Sequence, residues 1–206
     1  MFKLLTMASL VTTASADYLL TKTFSNATCN TGAMEFQMST AVNLCQHNSY
    51  QPGTYQIECV NKPGTAHDEC TTEQYTTADC TGPSVTQKKY DASGLCGAIQ
   101  GSTYATFLIV ADADAHKGFS TPLLTQWQDE DCTGTPVEYT DNGICHTLEG
   151  NSFKTACVNG TIQSCQYRSP GCSSTDMLCV PSAGNKPGAC QARGMLGGKA
   201  SVQLDC

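Results

Sequence analysis

The sequence predicts an all-β protein built of four tandem disulfide-stapled units, each of about three short antiparallel strands, with little or no helix. Three observations predict it. A cysteine-centred pattern recurs four times along the 206 residues. Short stretches alternate apolar and polar residues with period two, and Gly, Pro, Asn and Asp punctuate them. Long windows rich in Ala, Leu, Glu and Lys, which would favour helix, are missing, while strand-favouring Thr is abundant.

The repeat is clearest from Trp127 to Cys157. It reads aromatic, four residues, Cys; a polar turn; a small or amide residue, an apolar residue, Cys; then Ser or Thr, four residues and a third position. The aromatics are Phe24, Tyr75, Trp127 and Tyr167, each five residues before Cys29, Cys80, Cys132 and Cys172. The second cysteines are Cys45, Cys96, Cys145 and Cys190. Thr54, Ser102, Ser152 and Ser201 precede the third position, which holds Cys59, Phe107, Cys157 and Cys206. Agreement at so many positions marks a repeat architecture. The units span about 17–70, 71–121, 122–165 and 166–206 of a single disulfide-rich domain. Sequence leaves open whether they stack side by side or close around an axis.

Taken in order, the chain opens with Lys3, an apolar run from Leu4 to Val11, and Ala14-Ser15-Ala16. That pattern is a secretory signal peptide over residues 1–16, cut after Ala16, and it predicts a secreted, extracellular protein. The run is too short to cross a bilayer, and no later stretch approaches the length a span needs, so membrane insertion is not expected. The segment Asp17 to Phe24 reads as a strand that pairs within its own chain or, in a donor-strand mode, with a neighbour's sheet. Alternation marks further strands at Met34 to Met38, Tyr55 to Cys59, Val137 to Tyr139 and Val202 to Cys206. Asn142-Gly143 and Asn159-Gly160 are tight-turn signals. An aromatic and a Cys five apart fall on opposite faces of an ideal strand, so a bulge or bend is expected between them if both are buried. Burial against the neighbouring disulfide is the reading preferred for these aromatics. Tyr104 to Val110 is the most apolar stretch after residue 16, and it predicts a central, buried strand or the seam between two halves.

Leu, Ile, Val and Phe together make up about a sixth of the chain, too few for a large aliphatic core. Fourteen cysteines compensate. An even number in a secreted chain implies a disulfide framework. Matching positions across units suggests Cys29–Cys45, Cys80–Cys96, Cys132–Cys145 and Cys172–Cys190. Joint presence of a third-position Cys and an extra downstream Cys suggests Cys59–Cys70 and Cys157–Cys165, leaving Cys179–Cys206. Pairing between neighbouring units, such as Cys45–Cys59 with Cys70 reaching elsewhere, remains the alternative.

The net charge of −7 argues against nucleic-acid partners and anionic membrane surfaces. Asp112, Asp114 and His116 alternate and would share one strand face, where they could hold a divalent ion. The plainer reading is a solvated strand end, since calcium needs six or more oxygens and zinc about four ligands. The acidic run Asp129 to Asp131 reads as a solvated turn, and the histidines, His47, His67, His116 and His146, form no motif. No nucleophile elbow or zinc-binding helix is present in the sequence, so an enzyme is not expected and no cofactor is implied. Asn26 and Asn159 begin glycosylation sequons. Three function classes follow. One is a coat, wall, matrix or filament subunit whose partner is itself. Another is a lectin for cell-surface or wall glycans, with Tyr75, Trp127 and Tyr167 stacking on sugars if they are exposed. The third is a secreted inhibitor or effector.

Overall fold

A computed structural model describes residues 17–47, 53–61, 68–148, 150–173, 175, 177–182, 186–195 and 198–206. The expected signal peptide and His67 lie outside the described residues. The chain is all-β, with single turns of 3-10 helix at Thr31–Ala33, Asp112–Asp114 and Pro170–Cys172.

Among the described residues each unit contributes four strands rather than three, the second and fourth units starting at Asp68 and Thr161, where the strands that end in Tyr75 and Tyr167 begin. Unit one holds β1 (Asp17–Phe24), β2 (Met34–Ala41), β3 (Cys45–His47) and β4 (Thr54–Asn61). Unit two holds β5 (Asp68–Tyr75), β6 (Thr86–Asp91), β7 (Gly97–Gln100) and β8 (Thr103–Ala111). Unit three holds β9 (Leu123–Trp127), β10 (Glu138–Asp141), β11 (His146–Leu148) and β12 (Asn151–Val158). Unit four holds β13 (Thr161–Tyr167), β14 (Met177–Pro181), β15 (Gln191–Met195) and β16 (Gly198–Asp205). The added strand, third in each unit, is only three to five residues long, too short to show alternation.

Units do not fold alone. Units one and two interleave into two quartets, β7-β8-β1-β2 and β3-β4-β5-β6. Units three and four do the same, giving β15-β16-β9-β10 and β11-β12-β13-β14. Every quartet therefore has the order third, fourth, first, second. The outer strands β2 and β10 then pair antiparallel, Glu138 opposite Thr40, Tyr139 opposite Ser39 and Thr140 opposite Met38. This seam fuses two quartets into one eight-stranded sheet. The strand at the seam is thus β2, not the apolar segment of unit two. That segment is β8, which pairs with β1 and β7 and leaves Leu108 44 % exposed. The amino-terminal strand β1 lies inside its own sheet, between β2 and β8.

Two small cores pack on the large sheet, one within units one and two and one that also takes in Tyr139 of unit three. On one face of the large sheet, Leu19, Phe107 and Ile109 pack with Ile57 and Cys70 of the second quartet. On the other face, Tyr18, Ala41 and Tyr139 are covered by Ala115 from the connection between β8 and β9. Ser39 donates to the carbonyl of Ala115, and Tyr18 donates to that of Pro136 at 2.6 Å. Asp141 accepts the N–H groups of Ser120 at 2.7 Å and Gly143 at 3.0 Å, tying the same connection down. A Cβ at Gly143 would meet the Thr121 carbonyl at 2.5 Å, so no other residue fits there without a shift. Asn142-Gly143 forms a turn, but it leads from one sheet to another and closes no hairpin. Asn159-Gly160 does close one, between β12 and β13, with φ of 51° and 71°.

The repeat's residues now have physical roles. Each aromatic is the last residue of its strand, at the ends of β1, β5, β9 and β13, and all four are buried at 9 % exposure or less. The chain then turns, which supplies the bend that the odd spacing requires. Each first cysteine follows in the left-handed region, at φ of 46°, 54°, 55° and 50° for Cys29, Cys80, Cys132 and Cys172. A non-glycine residue there is strained, so its surroundings must hold it. The repeat hydroxyl does so. Ser152 Oγ accepts the N–H of Cys172 at 2.9 Å and donates to Ser169 O at 2.6 Å. Ser201 Oγ accepts the N–H of Cys132 at 2.9 Å. Thr54 donates to Thr77 O at 2.7 Å and lies 3.2 Å from Cys80 Sγ. Ser102 departs from the pattern and is exposed.

Six of the seven expected disulfides are corrected. Cys59–Cys70 is present. In place of Cys29–Cys45 and Cys80–Cys96, the structure has Cys29–Cys96 and Cys45–Cys80. In place of Cys132–Cys145 and Cys172–Cys190, it has Cys132–Cys190 and Cys145–Cys172. The first cysteine of one unit joins the second cysteine of its partner unit, in both directions, because the quartets exchange strands between units. Cys157–Cys165 and Cys179–Cys206 give way to Cys157–Cys206 and Cys165–Cys179. The reason is one side chain. Cys59 faces Cys70 across β4 and β5, whereas Cys157 faces Ile162 across β12 and β13. Cys157 therefore bonds the carboxy-terminal Cys206. The loops closed between units span 27 to 67 residues, each constraining the unfolded chain by roughly 3.5–4.5 kcal/mol in the chain-entropy model. Seven disulfides imply an oxidising, extracellular-type environment.

Candidate functional site

A sheet presents its chemistry at its faces and at its edges, and here the edges are the more open. The order of strands leaves β6 at one edge of the second quartet and β14 at one edge of the fourth. They occupy the position in their quartets that β2 and β10 occupy in theirs. Unlike those two, neither β6 nor β14 has a strand on its outer side among the described residues.

Strand β6 is exposed along its length except at Tyr90. Its pairing with β5 places Lys89 opposite Thr71 and Gln87 opposite Glu73. Lys89 Nζ lies 3.1 Å from Glu69, and Gln87 donates to Glu73 at 2.6 Å. Tyr90 turns inward against Phe107 of β8, ring centroids 4.7 Å apart, and Lys88 Nζ stands 5.2 Å from the Tyr90 centroid. Between β6 and β7 opens a cleft of about 380 Å³, lined by Lys88, Tyr90, Leu95, Ile99, Ala105 and Phe107. Apolar Leu95 and Ile99 lie open on it, 73 % and 41 % exposed, beside the charged Lys88, Lys89 and Asp91.

Strand β14 is apolar and open. Met177, Leu178 and Val180 are 54 %, 67 % and 51 % exposed. Its inner side is anchored by the Cys165–Cys179 bridge to β13. Pro181 closes the strand and limits how far any added strand can run.

The residues singled out from sequence fare differently. Tyr75, Trp127 and Tyr167 are buried, at 9 %, 9 % and 5 % exposure, and offer no open ring face to a sugar. Tyr75 donates to Glu73 at 2.5 Å, and that bond pushes its phenol up to about 12. Lys154 stands 5.7 Å from the centroid of Tyr167. The stacking role that would have needed these three rings is overturned by their burial. Asp112 and Asp114 sit in a 3-10 turn rather than on a strand, so the shared face expected for Asp112, Asp114 and His116 does not exist. Asp114 pairs with Lys117 at 3.3 Å, and the His116 ring lies 4.9 Å from that of Tyr139. Among the described residues, no group of three or more His, Cys, Asp or Glu is placed to hold a metal ion. Asn159 is exposed at its hairpin tip, and Asn26 is partly exposed, its side chain accepting from Thr28 at 3.2 Å.

Sequence reasoning missed the edge and cleft residues. A signal was available for β14, since Met177-Leu178-Cys179-Val180 is an apolar run in a region otherwise rich in Ser, Gly and Pro. The cleft joins residues of β6, β7 and β8 and has no local signature. Among the described residues, no helix is long and apolar enough to cross a membrane. No protein-family model, curated protein or solved structure matches this chain.

Proposed function

We propose that the protein is a secreted, non-catalytic structural subunit that assembles with copies of itself through its strand edges into an extracellular coat, matrix or filament. The observation that carries this reading is the β2–β10 seam, in which equivalent edges of two quartets already join by backbone pairing. The same kind of edge is repeated at β6 and β14 and left open. Open edges template pairing with another chain, and exposed apolar side chains on such an edge add burial to it. The interlocked disulfides suit a subunit that must persist outside the cell, and the sequons at Asn26 and Asn159 would carry glycans there.

The test is the oligomeric state of the oxidised, secreted protein across a concentration series. Size-exclusion chromatography with negative-stain microscopy is expected to show concentration-dependent polymers. A monodisperse monomer throughout the series, together with saturable binding to a defined glycan, would overturn the assembly reading in favour of the lectin one.

A further inference from the structure

We propose that β14 of one molecule pairs antiparallel with β6 of the next, repeating between molecules the β2–β10 seam found within one, so that the chain extends into an open-ended filament. This rests on the self-assembly reading above and names the surface that carries it.

The argument begins with equivalence. All four quartets share one strand order, and in each the second strand of a unit is an outer strand. Two of those four second strands, β2 and β10, find each other inside the chain. The other two do not meet inside the chain; each is the edge of its own four-stranded sheet. The seam they would copy is short. It has three registered pairs and one further bond, from Ala41 N–H to Val137 O at 2.9 Å. A five- or six-residue edge is long enough for it.

The backbone is correctly turned on both edges. The N–H of Ser182 points back to Ile162 O, at 3.0 Å, so by antiparallel alternation the backbone groups of Met177 and Cys179 face outward. The N–H of Ala92 points to Asp68 O, at 2.9 Å, so the backbone groups of Gln87 and Lys89 face outward on β6. Side chains then select the partner. Two β6 edges together would crowd Lys88 and Lys89 against the same lysines of a neighbour, and like charges across strands are destabilising. An added β14 brings neutral, apolar side chains instead, beside a cleft with apolar walls at Leu95, Ile99 and Phe107. Three of the four third-strand edges are short, β7 having four residues, and β15, with five, is the one of comparable length. β3 and β11 are three residues long, and the Cys45 carbonyl on β3 already accepts from Gln128 at 2.5 Å. Because β6 and β14 are different surfaces of one molecule, the contact is head to tail, and it propagates as a filament where the rotation between successive copies does not bring the chain back into a ring.

Two proline variants and a charge variant test this. Lys89→Pro and Met177→Pro each remove one outward N–H without touching a ladder bond inside the chain. Leu178→Lys with Val180→Lys leaves the backbone intact and adds charge to β14. Disulfide mapping and far-ultraviolet circular dichroism check that each variant folds. The expected result is that the unaltered protein forms filaments, while each variant alone stays monomeric at tenfold or more above the assembly threshold. An equimolar mixture of Lys89→Pro and Met177→Pro should stop at one-to-one dimers, since one retains β14 and the other β6. Closed dimers of the unaltered protein, or filaments from every variant, would sink the β6–β14 pairing while leaving self-assembly standing. A protein that stays monomeric at every concentration sinks both.

Discussion

A hydroxyl sealed from water must find partners, and that of Ser152, at 0 % exposure, finds two. It ties the turn carbonyl of Ser169 to the left-handed Cys172. Ser152→Ala should cost about 1–3 kcal/mol, because it strands the half-buried Cys172 N–H and Ser169 carbonyl together. Thermal unfolding would show a loss of roughly 2–4 °C per kcal/mol in a chain of this size. Ser102→Ala, at the exposed copy of the same position, should shift stability by no more than about 0.5 kcal/mol. The recurrence of Ser and Thr was legible in the sequence; the reason for it was not, since the partner cysteine belongs to another unit. Glu138 belongs to the same scale. Its carboxyl is crowded by protein, although the residue keeps some accessible surface, and Thr140 donates to it at 3.0 Å. Burial pushes its pKa above the ordinary carboxylate range, and the Thr140 bond only partly opposes this. The folded state therefore binds the proton more tightly than the unfolded chain. Its stabilising contribution is full below the ordinary Glu pKa and is lost as pH climbs through the raised value. At pH 7 Glu138→Gln should melt higher than the unaltered protein, and near pH 4 the two should converge. Equal melting temperatures at both pH values would count against a buried, ionised Glu138.

At the scale of the element, the two halves of the molecule solve one problem by different chemistry. Cys165 and Cys179 stand opposite each other on β13 and β14. The same places on β5 and β6 hold Glu73 and Gln87, joined by a 2.6 Å hydrogen bond. Replacing both, Glu73→Cys with Gln87→Cys, should form an eighth disulfide spontaneously in the oxidised protein. Intact mass and thiol titration would detect it, and the chain-entropy model gives a gain of roughly 3 kcal/mol. Free thiols in the folded double variant would mean that the two halves are less alike than their registers indicate. This equivalence also explains what sequence spacing misjudged. Cys70 stands five residues before Tyr75, but Cys165 stands two before Tyr167. Measured from the strand-ending aromatic, the two were never counterparts, and that offset was available in the sequence. The reciprocal bridges were not available there, because a pattern that repeats in every unit cannot say whether a cysteine bonds within its unit or across to the next. Strand type, the aromatic positions and the Asn159-Gly160 hairpin were legible for the opposite reason, since each is decided by residues adjacent in the chain.

On the scale of the whole molecule, three disulfides lie within residues 29–96 and four within residues 132–206, and none joins the two sets. The halves are held to each other by the β2–β10 seam, by the packing of Ala115 on Tyr18 and Tyr139, by the hydrogen bonds from Tyr18 to Pro136 and from Gln128 to Cys45, and by the connection from Asp112 to Pro122. Cleavage at the exposed Lys117-Gly118 bond should therefore yield two fragments that run separately on a denaturing gel without reductant. A single band there would require a different disulfide map. Under tension the same arrangement sets where the chain gives way. A load entering at β6 and leaving at β14 crosses from one half to the other through the seam, whose few hydrogen bonds are its weakest covalent-free link, while each half is knotted by its own bridges. Parting of the seam would let the eleven-residue connector straighten toward a span of at most roughly 36–40 Å, and then stop. The halves would remain tethered and folded, so a stretched array of such subunits would lengthen in fixed increments and re-form its seams when released, behaving as an extensible mesh rather than a brittle one.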